Sequence, residues 1–560
     1  MGLYLLDYGA GNVQSLANTL TKLGHEFTWI THPADFDKAT SLIFPGVGAF
    51  ENAISHLRSK GFLEPLRHYI NSGRPYFGIC IGLQVLFQSS TESPSPGLGL
   101  IPSHIEHFND IDKAVPHIGW NAAHSIDPLN EADPPYYYFV HSYRAEYNPE
   151  KYPEVAQWAY TITQYGQEVF ISSIRKGNVF ATQFHPEKSG AAGLALIDSW
   201  LRLPERARSI PPSPRELLPR PPRAKHGLTK RVIACMDVRA NDEGDLVVTK
   251  GDQYDVREKA ETSAPTPGSG VIIARTAGAV RNLGKPVALA ARYYDAGADE
   301  LCLLNITSFR HSPLQDQPML AVVRAAAECV FVPLTIGGGI KDTVDPDGTK
   351  RSALEVAGAY FRAGADKVSI GSEAVYAVER LREIGKPDGT SAIETIAFAY
   401  GRQAVVVSID PRRVYVDIET YDGPYKDEVV RGKSDGPESE RYKAWWYQCT
   451  VSGGRETRPL SVVQLAQGIE LLGAGEILVN SIDRDGTGLG FDLELVNLIK
   501  RSVKIPVIAS SGAGSTDHFV QVFCDTDVEA ALAAGIFHRE EVRIPDVKEA
   551  LKDVNISVRR

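Results

Sequence analysis

Cys80 lies in RPYFGICIGLQVLF, residues 74–87, where a short apolar strand runs through a glycine–cysteine–glycine neighbourhood into a helix expected from near Leu83. A side chain on such a strand-to-helix turn stands clear of the backbone, with the positive end of the helix dipole beneath it. That setting lowers a thiol pKa and favours nucleophilic attack, although free cysteines are also among the most buried residue types. A cysteine nucleophile requires a base and a pocket for developing negative charge. ATQFHPEKS (181–189) supplies His185 at the end of an apolar run, with Glu187 two residues on to orient the imidazole. FPGVGAF (44–50) supplies backbone N–H groups at Val47 and Gly48 in a glycine turn. Taken singly, each has an ordinary structural use.

A second group of residues lies further along. Asp237 closes RVIACMDV and Asp410 closes AVVVSID, two apolar runs of similar shape. Two carboxylates facing each other across a cavity can serve as general acid and general base, and aspartates also cap turns and helices. Glycine-rich strand ends recur as IGGGI (336–340) and SIGSEA (369–374), and again as ASSGAGS (509–515) and AAGIFH (533–538). Such ends present backbone N–H groups that suit phosphate. They nominate Gly338, Gly339, Gly371 and Ser372 on one side, and Ser510, Ser511, Gly512 and Gly514 on the other. Two clusters imply two phosphates, hence a long bisphosphorylated substrate. At the opposite strand ends, Glu300 in GADE, Lys367 in GADK, Glu476 in GAGE and Arg231 each begin an apolar run. Separately these are solvent-facing strand starts or stabilising pairs; together they can close a salt-bridge ring.

The elements that would position these residues follow from periodicity and repetition. Residues 1–203 alternate strand-like runs (LYLLDY, SLIFPGVG, PYFGIC) with helical ones (NVQSLANTLTKLG, GFLEPLRHYI), the signature of an open, mainly parallel sheet covered by helices. Ligands sit at the C-terminal ends of such strands, where Cys80 falls. Residues 204–228 are rich in proline and arginine and read as a semi-stiff linker. Residues 229–560 repeat themselves: AGADELCLLNITS is echoed by LGAGEILVNSIDRDG, VFVPLTIGGGI by VKIPVIASSGAG, and RVIACMDV by AVVVSIDPRRV. An offset of roughly 175 residues marks a duplicated multi-element unit rather than a solenoid. Two such halves close naturally into an eight-stranded (β/α) barrel, with functional groups at its C-terminal strand ends.

PGVG, GICIGLQ and FHPEKS, in this order, resemble the triad glutamine amidotransferases, over most of residues 3–201 including DYGAGNVQS and YYFVHSY. The resemblance implies that Cys80 attacks the side-chain amide of glutamine, His185 shuttles the proton and Glu187 orients it. It further implies an oxyanion hole at Gly46–Gly48 and substrate-side positions at Gln84, His141, Ser142 and Tyr143. The barrel stretches RVIACMDVRANDEGDLVVTKGDQYDVRE, LNITSFR, ADKVSIGSEAVY and SIDRDGTGLGFD are similar to the cyclase of histidine biosynthesis. The order glutaminase–linker–cyclase resembles the fused imidazole glycerol phosphate synthases of fungi and plants. That resemblance implies phosphoribulosyl-formimino aminoimidazole carboxamide ribonucleotide as substrate, with imidazole glycerol phosphate and aminoimidazole carboxamide ribonucleotide as products. It puts Asp237 and Asp410 in the acid/base roles, with Lys250, Asn305, Thr307 and Asp485 lining the mouth. Arg231, Glu300, Lys367 and Glu476 would then gate ammonia, and the glutaminase would dock on that face with its cysteine site covered.

The bulk properties set limits. The chain has 560 residues, a hydrophobic share of 43%, a charged share of 23% and a net charge of −10, values of ordinary globular protein that speak against a general nucleic-acid binder. Cys80, Cys235, Cys302, Cys329, Cys449 and Cys524 form no CxxC pair, which fits a reducing compartment. His104, His107 and His117 make no metal pattern, so neither metal nor cofactor is expected. No run is long enough to cross a bilayer and the N-terminus enters a strand at once. The expectation is therefore a cytoplasmic monomer, or a plastid protein if a transit segment has been removed. Two stretches fit poorly: 259–282 reads as a flap over the mouth or an ordered insertion. Residues 421–449 read as polar and exposed until the buried Trp445–Trp446 pair. Rival readings are a glutaminase fused to a sugar-phosphate isomerase barrel, and a glutamine-sensing scaffold.

Overall fold

Strands of two to nine residues build the N-terminal sheet, alternating with helices in its parallel part. The computed structural model describes residues 2–9, 11–46, 48–126, 133–204, 208, 227–240, 246–250, 254–255, 273–276, 279–282, 284–306, 318–434 and 436–559. Its first sheet contains β1 (Gly2–Leu6), β2 (Thr28–Ile30), β3 (Ala39–Phe44), β4 (Tyr76–Ile79), β5 (His124–Ser125), β6 (Ala159–Tyr165), β7 (Glu168–Lys176) and β8 (Val179–Thr182). The strand order is β2-β1-β3-β4-β8-β7-β6-β5. The first five are parallel and the rest antiparallel. β4 and β8 run side by side in the middle, with Ile79 opposite Thr182. The two loops leaving their C-terminal ends are thereby brought together, as sheets of this kind require of a site.

The second sheet closes on itself. β9 (Arg231–Ala240), β10 (Glu300–Asn305), β11 (Leu334–Gly337), β12 (Lys367–Ile370), β13 (Val405–Ile409), β14 (Glu476–Asn480), β15 (Val507–Ser510) and β16 (Ala530–Ala533) form a parallel barrel completed by β16 pairing with β9. The halves expected from the sequence repeats are thus the halves of one (β/α) barrel. A local device repeats with them. Gly297, Gly364 and Gly473 all have positive φ, at 87°, 117° and 105°, the left-handed turn that ends a helix without a Cβ penalty. Each stands three residues before a strand-opening charge, Glu300, Lys367 or Glu476, so the turn that ends the helix sets the register in which that charge faces inward. Three helix starts carry the reciprocal cap pairs Ser352–Glu355, Ser391–Glu394 and Ser461–Gln464.

The N-terminal unit packs on the barrel face from which the strands start. Asn12 Nδ2 donates to Gly364 O and Asp366 Oδ1, both at 2.9 Å. Asn18 donates to Ala327 O at 2.8 Å, Asn52 to Ala399 O at 2.7 Å, and Trp120 Nε1 to Asp299 O at 3.0 Å. Lys188 pairs with Asp366 at 2.8 Å. Of the expected linker, Arg208 alone lies among the residues described, apart from its two ends, and it reaches Ser41 Oγ at 2.7 Å. Of 259–282, residues 273–276 and 279–282 pair as a hairpin; the remainder falls outside the described residues. The 421–449 stretch departs from expectation in one respect. Trp445 and Trp446 are buried as expected, but so is Glu440, because it meets cations supplied from elsewhere in the barrel.

Candidate active sites

Cys80 sits between β4 and the helix Ile81–Gln84 with φ 49° and ψ −100°, so the helix begins earlier than the sequence suggests. A non-glycine residue in such a conformation costs about 1–3 kcal/mol unless its surroundings impose it. Here they do: Cys80 N donates to Thr182 O at 2.7 Å. A Cβ on Gly78 would lie 2.3 Å from Gly82 O, and one on Gly82 would lie 2.4 Å from Phe44 O. At Gly46 a Cβ would fall 1.7 Å from Ile81 Cγ2. The glycine turn and the cysteine elbow therefore share one tightly packed wall, and only glycine fits in it.

His185 Nδ1 lies 2.7 Å from Glu187 Oε1, and both side chains are almost fully enclosed. Burial lowers the imidazole pKa, but the Glu187 carboxylate and the neighbouring Cys80 outweigh it and hold His185 well above its ordinary value. Its Nε2 has no hydrogen-bond partner among the described residues and is left for the thiol and a reacting group. Gln183 Nε2 approaches Cys80 Sγ at 3.4 Å, and Gln84 Nε2 donates to Gln183 Oε1 at 3.1 Å and Tyr143 O at 3.2 Å. His141 is held neutral: burial, opposed by a bond to Tyr143 O, takes it to about 3. It lies 3.1 Å from His117 Nδ1, and Asn121 sits 3.2 Å from His117 Nε2. This side chain is thus engaged in a buried chain that fixes the Ser142–Tyr143 backbone. Ser142 Oγ is buried without a partner among the described residues. Val47 lies outside the described residues.

Three residues near this site were not singled out in the sequence, although Tyr8 and Tyr138 lie within DYGAGNVQS and YYFVHSY. Tyr8 is fully buried and electrostatically close to Cys80. Glu92, in a serine-rich stretch, accepts from Phe50 N at 3.0 Å and is raised to about 7 by burial. Tyr138 bonds the His185 backbone at 2.9 Å, while its buried hydroxyl, unpartnered among the described residues, feels the charges of Glu300, Arg231 and Glu476.

Those charges form the floor of the barrel. Arg231 Nη1 meets Glu300 at 2.8 Å and Nη2 meets Glu476; Lys367 Nζ meets Glu300 and Glu476 at 2.6 Å each. Thr335 adds a bond to Glu300 at 2.6 Å. The ring is closed, neutral in sum and at most 1% exposed. Burial would raise Glu476, yet the two cations hold it below the usual carboxylate range. Above the ring, on the same strand faces, Ile233, Cys235, Cys302, Val406, Leu478, Ile508 and Leu532 form an apolar lining.

At the other end, Asp237 lies near the end of the first barrel strand, opposite Leu304, and Asp410 directly follows the fifth. Asn480 Nδ2 donates to Asp410 Oδ1 at 2.9 Å; burial and the neighbouring Asp485 charge nonetheless raise the Asp410 carboxyl. Asn305 ends β10. The glycine-rich ends are left-handed at Gly338, Gly339, Ser511 and Gly512. Ser372 opens a helix behind Gly371, and its Oγ accepts from Ser452 N at 2.9 Å. A Cβ on Gly512 would meet Gly490 O at 2.2 Å and one on Gly514 would meet Gly488 O at 2.6 Å, so the Ser510–Gly514 end is seated on the loop that carries Asp485. Lys250 ends a strand paired to β9, with nothing described of its side chain; Thr307 lies outside the described residues. Among the described residues there is no group of three candidate metal ligands, and no helix is long and apolar enough to cross a membrane.

Two family descriptions match: glutamine amidotransferase class-I over residues 4–200, and histidine biosynthesis protein over residues 231–543. The chain is 51% identical over 573 residues to the imidazole glycerol phosphate synthase hisHF of Emericella nidulans, covering 100% of this chain and 99% of that one. It is 52% identical over 563 residues to the hisHF of Schizosaccharomyces pombe (99% of each). With the chloroplastic hisHF of Arabidopsis thaliana it shares 52% over 560 residues (99% of this chain, 89% of the other). Residues 4–200 carry the glutaminase elbow and residues 231–543 the charged floor and double-aspartate mouth, and the chain belongs to the bifunctional imidazole glycerol phosphate synthase family.

Proposed function

We propose that Cys80 and the Asp237–Asp410 mouth are the two ends of one reaction path. Cys80 Sγ attacks the amide carbon of glutamine, and the oxyanion is met by the Gly46–Gly48 turn. The leaving nitrogen takes the His185 proton and departs as ammonia; water then cleaves the thioester to glutamate. Glu187 orients the imidazole, which is neutral once it has given up its proton and takes one from the water that cleaves the thioester, as Cys80 Sγ departs with the electron pair. Glu92 and the Ser142–Tyr143 backbone serve the α-ammonium and α-carboxylate of the substrate.

Ammonia released beside Tyr138 reaches the ring of Arg231, Glu300, Lys367 and Glu476, passes it when an ion pair opens, and enters the apolar lining. There it stays unprotonated, because a cation is strongly disfavoured without water. At the mouth it attacks the bisphosphorylated ribonucleotide, phosphoribulosyl-formimino aminoimidazole carboxamide ribonucleotide. The Gly338–Gly339 and Gly371–Ser372 ends hold one phosphate, and the Ser510–Gly514 end holds the other. Asp237 and Asp410 move protons during cleavage and ring closure to imidazole glycerol phosphate and aminoimidazole carboxamide ribonucleotide. Lys250, Asn305, Thr307 and Asp485 line the site. Residues 1–203 and 229–560 are the two working units of a monomer, in the cytoplasm, or in a plastid where a transit segment precedes them.

The carrying observation is that Tyr138, bonded to the His185 backbone, feels the charges of a closed ring beneath an apolar lining. The test is glutamine hydrolysis with and without the ribonucleotide or its product analogue. A large stimulation by barrel occupancy is expected, with Cys80→Ser losing glutamine-driven but not ammonium-driven product formation. Equal rates with and without the ribonucleotide would reduce the molecule to two tethered activities.

A further inference from the structure

Between β13 and β14 the chain leaves the barrel and forms an antiparallel sheet of the strands Pro411–Val416, Val430–Arg431, Ala444–Val451 and Glu456–Ser461. The turn joining the second of these to the third is tightly packed. Gly432 N donates to Lys443 O at 2.9 Å, and a Cβ on Gly432 would fall 1.9 Å from Glu440 O. This turn delivers the Glu440 carboxylate into the protein. Its Oε1 lies 2.7 Å from Arg413 Nη1 and 2.8 Å from Arg484 Nη2. Arg413 also pairs with Asp492 at 2.6 Å and lies over the Trp445 ring at 4.3 Å. Asp492 in turn accepts from Tyr447 at 2.8 Å and Ser481 at 3.0 Å. Two guanidiniums and two carboxylates thus form a neutral cluster whose side chains are at most 10% exposed.

The cluster is tied to the mouth through Arg484. Its guanidinium donates to Leu489 O at 3.2 Å, and its neighbour Asp485 is fastened by a backbone bond to Ser481 O at 3.0 Å. The same loop supplies Gly490 N to Gly512 O at 2.8 Å. A buried guanidinium without a counter-charge carries a heavy desolvation cost, so Glu440 determines where Arg484 rests. Arg484 in turn fixes the span from Asp485 to the Ser510–Gly514 end.

We propose that Glu440 is a positioning residue for the barrel chemistry: through Arg484 it clamps the loop carrying Asp485. The excursion of the chain between β13 and β14 is therefore part of the barrel's catalytic apparatus. The proposal rests on the assignment of Asp485 and the Ser510–Gly514 end to the substrate mouth. In the full-length chain driven by ammonium, Glu440→Gln lowers kcat for the bisphosphorylated ribonucleotide about tenfold with KM within about threefold, the pattern of a lost transition-state arrangement. Basal glutamine hydrolysis stays at the parent rate. Arg484→Gln gives the same fall, and the Glu440→Gln/Arg484→Gln pair falls no further, because both act through one link. Unchanged kcat in folded Glu440→Gln, or losses that multiply in the pair, overturns the clamp. Should Glu440→Gln fail to fold, the charge-balanced pair decides alone: a parental kcat overturns the clamp and a loss supports it. Asp485→Asn is measured alongside. A loss there with Glu440→Gln unaffected removes the clamp only, whereas no loss there removes the assignment beneath it.

Discussion

The two ends of the barrel treat charge in opposite ways. At the floor, Arg231, Glu300, Lys367 and Glu476 are sealed from water and neutralise one another, and Glu476 remains more acidic than usual. At the mouth, Asp410 is offered an amide by Asn480 and a second negative charge by Asp485, and its carboxyl is less acidic than usual. Burial pushes both carboxyls up; at the floor two cations override it, whereas at the mouth the Asp485 charge adds to it. The floor holds its carboxylate ionised, and the mouth holds a carboxyl that keeps its proton more readily.

The largest effect that would break this contrast is at the mouth. Asp410→Asn is expected to cut ammonium-driven turnover by about 10²–10⁴-fold, the usual weight of a general acid or base, without lowering the thermal midpoint, since no cation loses its partner. A midpoint that dropped as far as for a floor mutant would erase the distinction. At the floor, Lys367→Met leaves two buried carboxylates sharing the single charge of Arg231 and should cost roughly 3–5 kcal/mol of stability. In the surviving folded enzyme it should also let glutamate outrun product, read as a glutamate-to-product ratio above unity; a ratio of one would sever the floor from ammonia transfer. The smallest effect comes from a third buried carboxyl. Glu92 is raised to about 7 by burial, with only the Phe50 N–H to offset it. A raised carboxyl loses its charge as pH falls through that value. The KM for glutamine should therefore climb roughly fivefold to tenfold between about pH 8 and about pH 6, and stay flat in Glu92→Gln. Parallel profiles for the two proteins would exclude the carboxylate from substrate binding.

Much of this was legible in the sequence because it rests on short-range rules. The glycine three residues before Glu300, Lys367 and Glu476 ties a helix end to a strand start, and three such turns reveal both the barrel and its inward-facing charges. Asp237 and Asp410 were visible because each closes an apolar run of similar shape. Glu92 and Glu440 were not: both stand in polar stretches with no periodicity. What buries Glu440 is Arg413 and Arg484, 27 residues before it and 44 after, a proximity created by the pairing of β13 with β14. Likewise His141 reads as a substrate contact in YYFVHSY, and its engagement by His117 depends on the pairing of His117–Ala122 with Tyr136–His141.

The hydrogen bonds and ion pairs between the glutaminase and the barrel run largely through Asn12, Asn18, Asn52, Trp120, Lys188 and single backbone groups. Between separate subunits such a polar seam would leave the active fraction at the mercy of dilution. On one chain the second half stands at an effective concentration of about millimolar, so specific activity should hold constant across assay concentrations.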